Sequence, residues 1–495
     1  MTSLQTVILV AYLCCLAPLA IWGLHRGYLV FGFATGRARS EPMDIADWPM
    51  VTVQLPLFNE RYVAERLLVA TAALDYPRDR LHIQVLDDST DDTTDIVRSE
   101  VERLAATGVD IVLLHRTDRT GFKAGALEAG LEVAKGDFVA VFDADFVPET
   151  NYLKTMMPHF RDGVGMVQAR WGHLNARESW LTECQATLLD GHFVVEHSAR
   201  FRNGRWFNFN GTAGIWRTKA IMDAGGWQHD TLTEDMDLSY RSQLAGWRFI
   251  FLVDVVAPAE LPDTMAAFKT QQHRWAKGSL QVAKKLLMML MRADLPLGHK
   301  VEALFHLLGN LAHPLVVGLS VMLPLAVWAR GTEVSSPLLV IDLVFFLASI
   351  GSISLFYGVS IVRSGSGHVG RRLLFLPIVF SLGLGIALSQ TRAVFSGLFG
   401  EVGVFVRTPK RGDAATTYRS KVHWGVIGEL AIAAWLWVGL AGAAAAGWLA
   451  SIPFLAMFAT GWALVGLHSL RDALGKGVTP QAKAPAGDSV VSVAK

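Results

Sequence analysis

Carboxylates recur in this chain at spacings suited to chemistry, and a Gln-x-x-Arg-Trp motif follows them. The groups are Asp87-Asp88 in IQVLDDSTDD, Asp143-Ala-Asp145 in FVAVFDADFVP, Thr233-Glu234-Asp235 in TLTEDMDLSYR, and Gln271 to Trp275 in QQHRWAKG. The first two follow β-branched, apolar runs that read as buried strands, so their carboxylates emerge where a parallel sheet meets solvent. Ligands of open α/β sheets bind at those carboxyl ends. Gathered carboxylates need a cation between them, and a nucleoside diphosphate with its divalent metal supplies one. Asp87-Asp88 alone reads better as helix capping, a role that Ser89 and Thr90 fill equally well. Asp143 and Asp145 are more specific, because a strand puts residues i and i+2 on one face, where a bridging metal relieves their repulsion. Thr233 reads as a helix cap, but its N3 position is Met236 rather than Glu. The functional reading of that cluster makes Asp235 a general base, taking the proton from an acceptor hydroxyl. Arg274 suits a diphosphate, and Trp275 suits either the apolar face of a sugar or a membrane interface.

The elements that must position these residues alternate. Strands are expected at 50–58, 82–86, 109–114 and 138–142, with helices between them and a basic loop from Arg116 to Lys123. That order predicts a doubly wound, mostly parallel sheet. No strand is followed by G-x-G-x-x-G or G-x-x-x-x-G-K-[ST], which counts against dinucleotide and P-loop sites.

Composition adds a membrane. Hydrophobic residues make up 52% of the chain and charged residues 18%, too apolar for a wholly soluble protein. Residues 5–24 carry no charge and are long enough to span a bilayer. Arg26, Arg37 and Arg39 follow this stretch, so residues 1–40 read as an uncleaved anchor whose C-terminal side is cytoplasmic. Further apolar stretches lie near 304–328, 338–361, 426–447 and 449–470, inside a membrane region at 300–472. The stretch at 373–390 precedes a segment rich in Arg and Lys, so 373–400 reads as interfacial or re-entrant. Residues 45–295 form one cytoplasmic domain ending in a basic amphipathic helix at 266–292, and 475–495 reads as a disordered tail. A net charge of +1 gives no electrostatic case for nucleic acid, and three cysteines build neither a disulfide framework nor a zinc site.

The strings QLPLFNE, LDDSTDDT, GFKAGALEAGL, FDADFVP, LDGHFVVEHSAR, FNFNGTAGIWR, TLTEDMDLSYR and QQHRWAKGS cover residues 50–290 almost without a break. They resemble family 2 glycosyltransferases of the cellulose-synthase-like A group (mannan and glucomannan synthases) and their bacterial relatives. The resemblance implies a GT-A catalytic domain, with Pro56, Asn59, Glu60, Asp87, Asp88 and Lys123 in the nucleotide pocket. It places Mg²⁺ or Mn²⁺ on Asp143 and Asp145, and catalysis at Asp235 with Glu234 beside it. Gln271 and Arg274 would meet the diphosphate, Trp275 the acceptor, and Asn210, Gly211 and Thr212 the end of the growing glycan. Phe405, Thr408 and Lys410, within residues 401–412, resemble a gating loop, although Arg407 stands where the family has Val.

These features point to a multi-pass inner- or plasma-membrane enzyme with its catalytic domain in the cytoplasm. It would extend a β-linked glycan processively, with GDP-mannose the first expectation for the donor and β-1,4-mannan or glucomannan for the product. A UDP-glucose-dependent β-glucan or cellulose-type synthase and a single-addition lipid glycosyltransferase are the alternatives.

Overall fold

The computed structural model describes residues 2–330, 337–365, 367–401, 403 and 424–474. The gating-type residues Phe405, Thr408 and Lys410 and the tail at 475–495 lie outside the described residues.

Seven strands make one sheet: β1 (Val51–Leu57), β2 (Leu81–Asp87), β3 (Ile111–His115), β4 (Phe138–Val141), β5 (Val164–His173), β6 (Gly214–Arg217) and β7 (Arg248–Ala259), in the order β3-β2-β1-β4-β6-β5-β7. β1, β2, β3 and β4 run parallel, β6 is antiparallel to both its neighbours, and β5 pairs parallel with β7. The parallel half matches the sequence expectation. The half formed by β5, β6 and β7 was not foreseen, because β6 has only four residues and β7 mixes exposed with buried positions.

Helices cover both faces of the sheet, so its central strands are apolar on both sides. Along β4 the faces alternate: Phe138 and Ala140 join the core formed by Val51, Val53 and Leu55 of β1, while Val139 and Val141 join Leu127, Trp216 and Phe249. Two buried polar exceptions meet each other, Gln54 Nε2 donating to Gln84 Oε1 at 3.1 Å and to Leu127 O at 3.3 Å. Pairing of β1 with β4 stops at Gln54. Pro56 therefore sits where one edge of β1 is already unpaired, a position at which a missing N–H is tolerated.

The remainder is helical. Five helices are long and apolar enough to cross a membrane: Ser3–Thr35, Leu297–Arg330, Leu343–Arg363, Gly425–Ala445 and Leu449–Ala473. A bent pair, Leu376–Gly385 and Ala387–Phe399, breaks by 46° and raises the number to six if counted as one span. Close backbone approach holds this bundle together. A side chain at Gly385 would collide with the carbonyl of Gly461 and with Val465, the small-residue contact that lipid-embedded helices use.

Ion pairs fasten the catalytic half to these helices. Arg200, 1% exposed, donates to Glu302 Oε1 at 2.9 Å and to Glu196 Oε1 at 2.6 Å. His25 Nε2 lies 3.0 Å from Glu302 Oε2, and Arg26 Nη1 lies 2.6 Å from Glu196 Oε2. Lys269 reaches Glu429 at 2.6 Å, and Arg372 reaches Asp190 at 2.8 Å. Breaking a buried pair leaves an uncompensated charge, a larger loss than the pair's own net worth. Glu302→Ala should therefore destabilise the protein by about 3 kcal/mol, measured as a lower midpoint of thermal unfolding in detergent. An unchanged midpoint would show that the network contributes nothing to stability.

Candidate active site

At the carboxyl ends of β1, β2 and β4 the chain leaves the sheet and opens a cleft of about 150 Å³. The wall that completes it comes from the start of the helix Glu234–Leu244 and from the helix Met265–Arg292. Pro56, Glu60, Asp88, Lys123, Asp143, Asp145, Asn210, Gly211, Glu234, Asp235, Gln271, Arg274 and Trp275 all line it. Segments from Pro56 to Trp275, far apart in sequence, thus converge.

Three expected residues lie behind the wall. The Asp87 carboxylate, fully buried, accepts from Ser89 N at 3.1 Å, from Thr94 Oγ1 at 2.7 Å and meets His115 Nδ1 at 2.8 Å. It organises the turn after β2 and does not face the cleft. Asn59 has φ +55° and exchanges hydrogen bonds with Ser89 and Thr90, tying the loop after β1 to the loop after β2. Thr212 Oγ1 accepts from Asp143 N at 2.9 Å and so fixes the backbone of the acidic pair. The capping alternatives do not hold: neither Thr233 nor Asp92, at the starts of their helices, makes a side-chain cap bond, and Ser89 Oγ is used by Asn59.

Charge is the dominant feature of the cleft. Among the described residues, Glu60, Asp88, Asp143, Asp145, Glu234, Asp235 and Glu260 share the lining with Arg119, Lys123 and Arg274 as the fully cationic groups. Asp88 is clamped by Arg116, whose Nε and Nη2 donate to its two oxygens at 2.8 and 2.6 Å, the bidentate geometry that guanidinium favours. Lys123 Nζ donates to Asp143 Oδ1 at 2.5 Å and to Gly211 O at 2.8 Å. Burial works against its ammonium, but Asp143, Glu234 and Asp235 outweigh this and raise its pKa. Burial lowers the pKa of Arg274, opposed by Glu234, Asp143, Asp235 and Asp145. Asp235 is pushed up to about 7 by burial and by Glu234, against the pull of Lys123, Met236 N and Arg274. A carboxyl poised near neutrality is what proton abstraction at neutral pH needs.

The residues present fit a divalent cation carried by a diphosphate. Among the described residues no three His, Cys, Asp or Glu side chains form a ready-made cage. Asp143 and buried Asp145 nevertheless offer two hard oxygen donors on one strand end. Mg²⁺-type ions bound with substrate phosphates need no more from the protein.

A second cavity of about 920 Å³ runs from this cleft between the apolar helices. Trp171, Leu189, Asn210, Thr233, Asp235, Gln271 and Trp275 line both spaces, so Asp235 stands in the partition. Trp171 and Trp275 approach at 6.3 Å between ring centroids, and Phe146 and Phe193 flank Trp171 at 5.5 and 5.3 Å. Trp275 is therefore part of an aromatic wall at the partition.

Sequence reading missed Arg116, Arg119, Phe58, Trp171, His173 and Glu260. The basic loop beginning at Arg116 was visible, but its target was not. Arg119 lies over the Phe58 ring with 3.3 Å from Cζ to the centroid. Trp171, His173 and Glu260 sit at or just past the ends of β5 and β7, strands that the sequence pattern did not reveal.

Comparison with known proteins places this arrangement in a class. Residues 49–278 match the family model described as glycosyltransferase-like family 2. Glucomannan 4-beta-mannosyltransferase 1 of Oryza sativa subsp. japonica is 45% identical over 251 residues, 50% of this chain and 48% of that protein. Glucomannan 4-beta-mannosyltransferase 2 of Arabidopsis thaliana is 38% identical over 386 residues, 75% of this chain and 70% of that protein. The matches thus span from about half to about 70% of those relatives. Among solved structures, the mannosyltransferase PcManGT of Pyrobaculum calidifontis, in complex with GDP-Man and Mn²⁺, shares the fold. Its TM-score is 0.53 at 22% identity, over 72% of this chain and 98% of that one. The chain belongs to glycosyltransferase family 2, and within it is similar to the glucomannan 4-beta-mannosyltransferases.

Gly211 lets the loop that carries it approach Asp235. Its φ is +79°, and a Cβ there would lie 3.0 Å from Asp235 Oδ2 and 3.5 Å from Lys123 Nζ. Gly211→Ala should lower kcat at least tenfold in a folded protein, read from steady-state transfer with nucleotide affinity as the folding control. Wild-type kcat would show that this contact is not critical.

Proposed function

We propose that this protein is a membrane-embedded, inverting hexosyltransferase that moves mannose from GDP-mannose onto the end of a β-1,4-linked mannan or glucomannan. The observation that carries the reading is the position of Asp235, which faces the donor cleft on one side and the long second cavity on the other. The names of the relatives support the sugar and linkage. The apolar helices and the basic residues that follow the first of them support a multi-pass protein with its catalytic half in the cytoplasm.

Each protein group has a task in this reaction. Glu60, Asp88 and Arg119 surround the nucleoside end of the cleft, with Asp88 held in place by Arg116. Lys123 and Arg274 face the diphosphate, where Arg binds phosphate in a two-pronged way. Asp143 and Asp145 would hold Mg²⁺ or Mn²⁺, which neutralises charge on the leaving nucleoside diphosphate. Asp235 accepts the proton of the acceptor hydroxyl as the oxygen attacks the anomeric carbon from the face opposite the leaving group. The Trp171–Trp275 wall supplies apolar surface to the terminal sugar rings. The glycan then extends into the second cavity and is carried onward between the helices as successive sugars are added.

Purified protein in nanodiscs, given labelled GDP-mannose and UDP-glucose in parallel, tests the donor and the product. A mannanase-sensitive polymer from GDP-mannose is expected. A cellulase-sensitive polymer from UDP-glucose, or an organic-soluble product with one sugar, would overturn the assignment. Asp235→Asn should abolish transfer with nucleotide affinity preserved, whereas Asp145→Ala should abolish metal-dependent nucleotide binding. Wild-type behaviour in either variant removes that residue from its role.

The pH profile follows from the raised pKa of Asp235. The protonated carboxyl predominates below its pKa and cannot act as base, so kcat/KM should fall about tenfold per pH unit below about 7. An acid limb near 4, the range of an ordinary aspartate, would show that the base is not held as described.

A further inference from the structure

The helix Trp180–Asp190 continues through a π-helical segment, Gly191–His197, into Ser198–Arg202. Such π segments concentrate at functional sites, because the extra residue redirects the side chains that follow. Here the segment carries His192 and Glu196 on the lining of the second cavity. His192 Nε2 lies 3.0 Å from Asn210 Nδ2, and His192 Nδ1 lies 3.5 Å from Glu196 Oε2. A carboxylate can only accept, so Nδ1 carries the hydrogen and Nε2 is the acceptor. The amide of Asn210 therefore presents its NH₂ to the histidine. Its carbonyl oxygen Oδ1 is buried and has no hydrogen-bond partner among the described residues.

Asn210 is one of the few residues that line both cavities, and its backbone N–H is anchored on Gln168 Oε1 at 3.1 Å. A buried amide oxygen without a partner costs stability unless a ligand satisfies it. The partition between donor and acceptor spaces is where a sugar hydroxyl arrives. Behind His192, Glu196 is held by Arg26 and Arg200 at 2.6 Å each, which fixes the carboxylate that sets the histidine tautomer. Arg26 belongs to the first apolar helix, Ser3–Thr35.

We propose that His192 is a positioning residue for the acceptor. It holds the Asn210 amide so that Oδ1 accepts a hydrogen bond from a hydroxyl of the terminal acceptor sugar, with Glu196 and Arg26 fixing the imidazole from the membrane side. This inference rests on the hexosyltransferase reading above but not on which hexose is transferred or on how many are added.

The test measures KM for the acceptor and for the donor separately, using whichever acceptor the wild-type protein elongates: an oligosaccharide primer or a lipid. His192→Phe keeps the ring volume and removes both hydrogen bonds. It should raise acceptor KM about tenfold, with a change of less than about twofold in donor KM and in nucleotide dissociation constant. His192→Gln offers one acceptor and one donor group, and should recover acceptor KM to within about threefold of wild type. An unchanged acceptor KM in His192→Phe, or equal losses toward donor and acceptor in both variants, overturns the proposal. If His192→Phe does not fold, His192→Gln and Asn210→Ala decide together: near-normal acceptor KM in the first with a tenfold rise in the second supports the clamp, and no rise in Asn210→Ala overturns it. A wild-type protein that elongates no glycan but glycosylates a lipid would overturn the polymer reading and leave the clamp testable on that lipid.

Discussion

Among the described residues, seven carboxylates share one cleft with three cationic side chains, so the groups that line it carry an excess of negative charge. Repulsion of this size has to be relieved by protonation, by counter-charge or by a ligand. The first two can be read from the structure. Asp235 stays protonated up to about pH 7, Arg116 takes up Asp88, and Lys123 takes up Asp143. What is left over is a site whose negative field suits a cation and whose cations suit phosphate. A nucleotide diphosphate with its metal brings both, so the donor completes the site electrostatically. The backbone bonds that set Asp143, and the positive φ of Gly211 that admits Asp235, serve this one requirement.

The same cleft depends on the apolar helices for one of its walls. Gln271, Arg274 and Trp275 come from a helix that Lys269 pins to Glu429, and whose first turn donates Ala266 N to Asp472 Oδ2 at 3.1 Å. His173, at the other side of the cleft, meets Asp190, which in turn binds Arg372 beside the bent helix pair. Buried ion pairs of this kind add little net stability against an apolar alternative, but they specify register. Register matters here because an error of one helical turn would move Arg274 by about 5.4 Å, out of reach of the carboxylates it now faces.

Much of this was legible in the sequence, for identifiable reasons. β1, β2 and β4 are buried on both faces, rich in β-branched residues, and lead into the chemistry-bearing residues, so strand and motif announced each other. Asp143 and Asp145 both line the cleft, but they lie in the turn that follows β4, which ends at Val141, rather than on one face of a strand. β5, β6 and β7 were not legible, since β6 is short and β7 is only partly buried, and with them Trp171, His173 and Glu260 stayed hidden. Asp87 and Asn59 carry motif chemistry yet serve as braces, a distinction that depends on which way a side chain turns at a strand end. The pairing of Arg116 with Asp88 joins positions 28 apart, and no periodicity reports such a contact.

A carboxylate in a partition has a consequence that a carboxylate at the bottom of a single pocket does not. Under the proposed reading, with the donor in the smaller cleft and the glycan in the longer cavity, the two substrates would reach Asp235 from different sides. Nucleoside diphosphate can then leave and a new donor enter while the glycan stays where it is. Repeated addition would require the glycan end to advance by one sugar after each transfer, and the aromatic wall of Trp171 and Trp275 suits such a step. Stacking surfaces hold a ring by its apolar face without fixing its position along the wall, whereas directional hydrogen bonds do fix it. A site built for repeated addition therefore needs both kinds of contact: aromatic surface that tolerates sliding, and a small number of hydrogen bonds at the partition that define where the sugar stops.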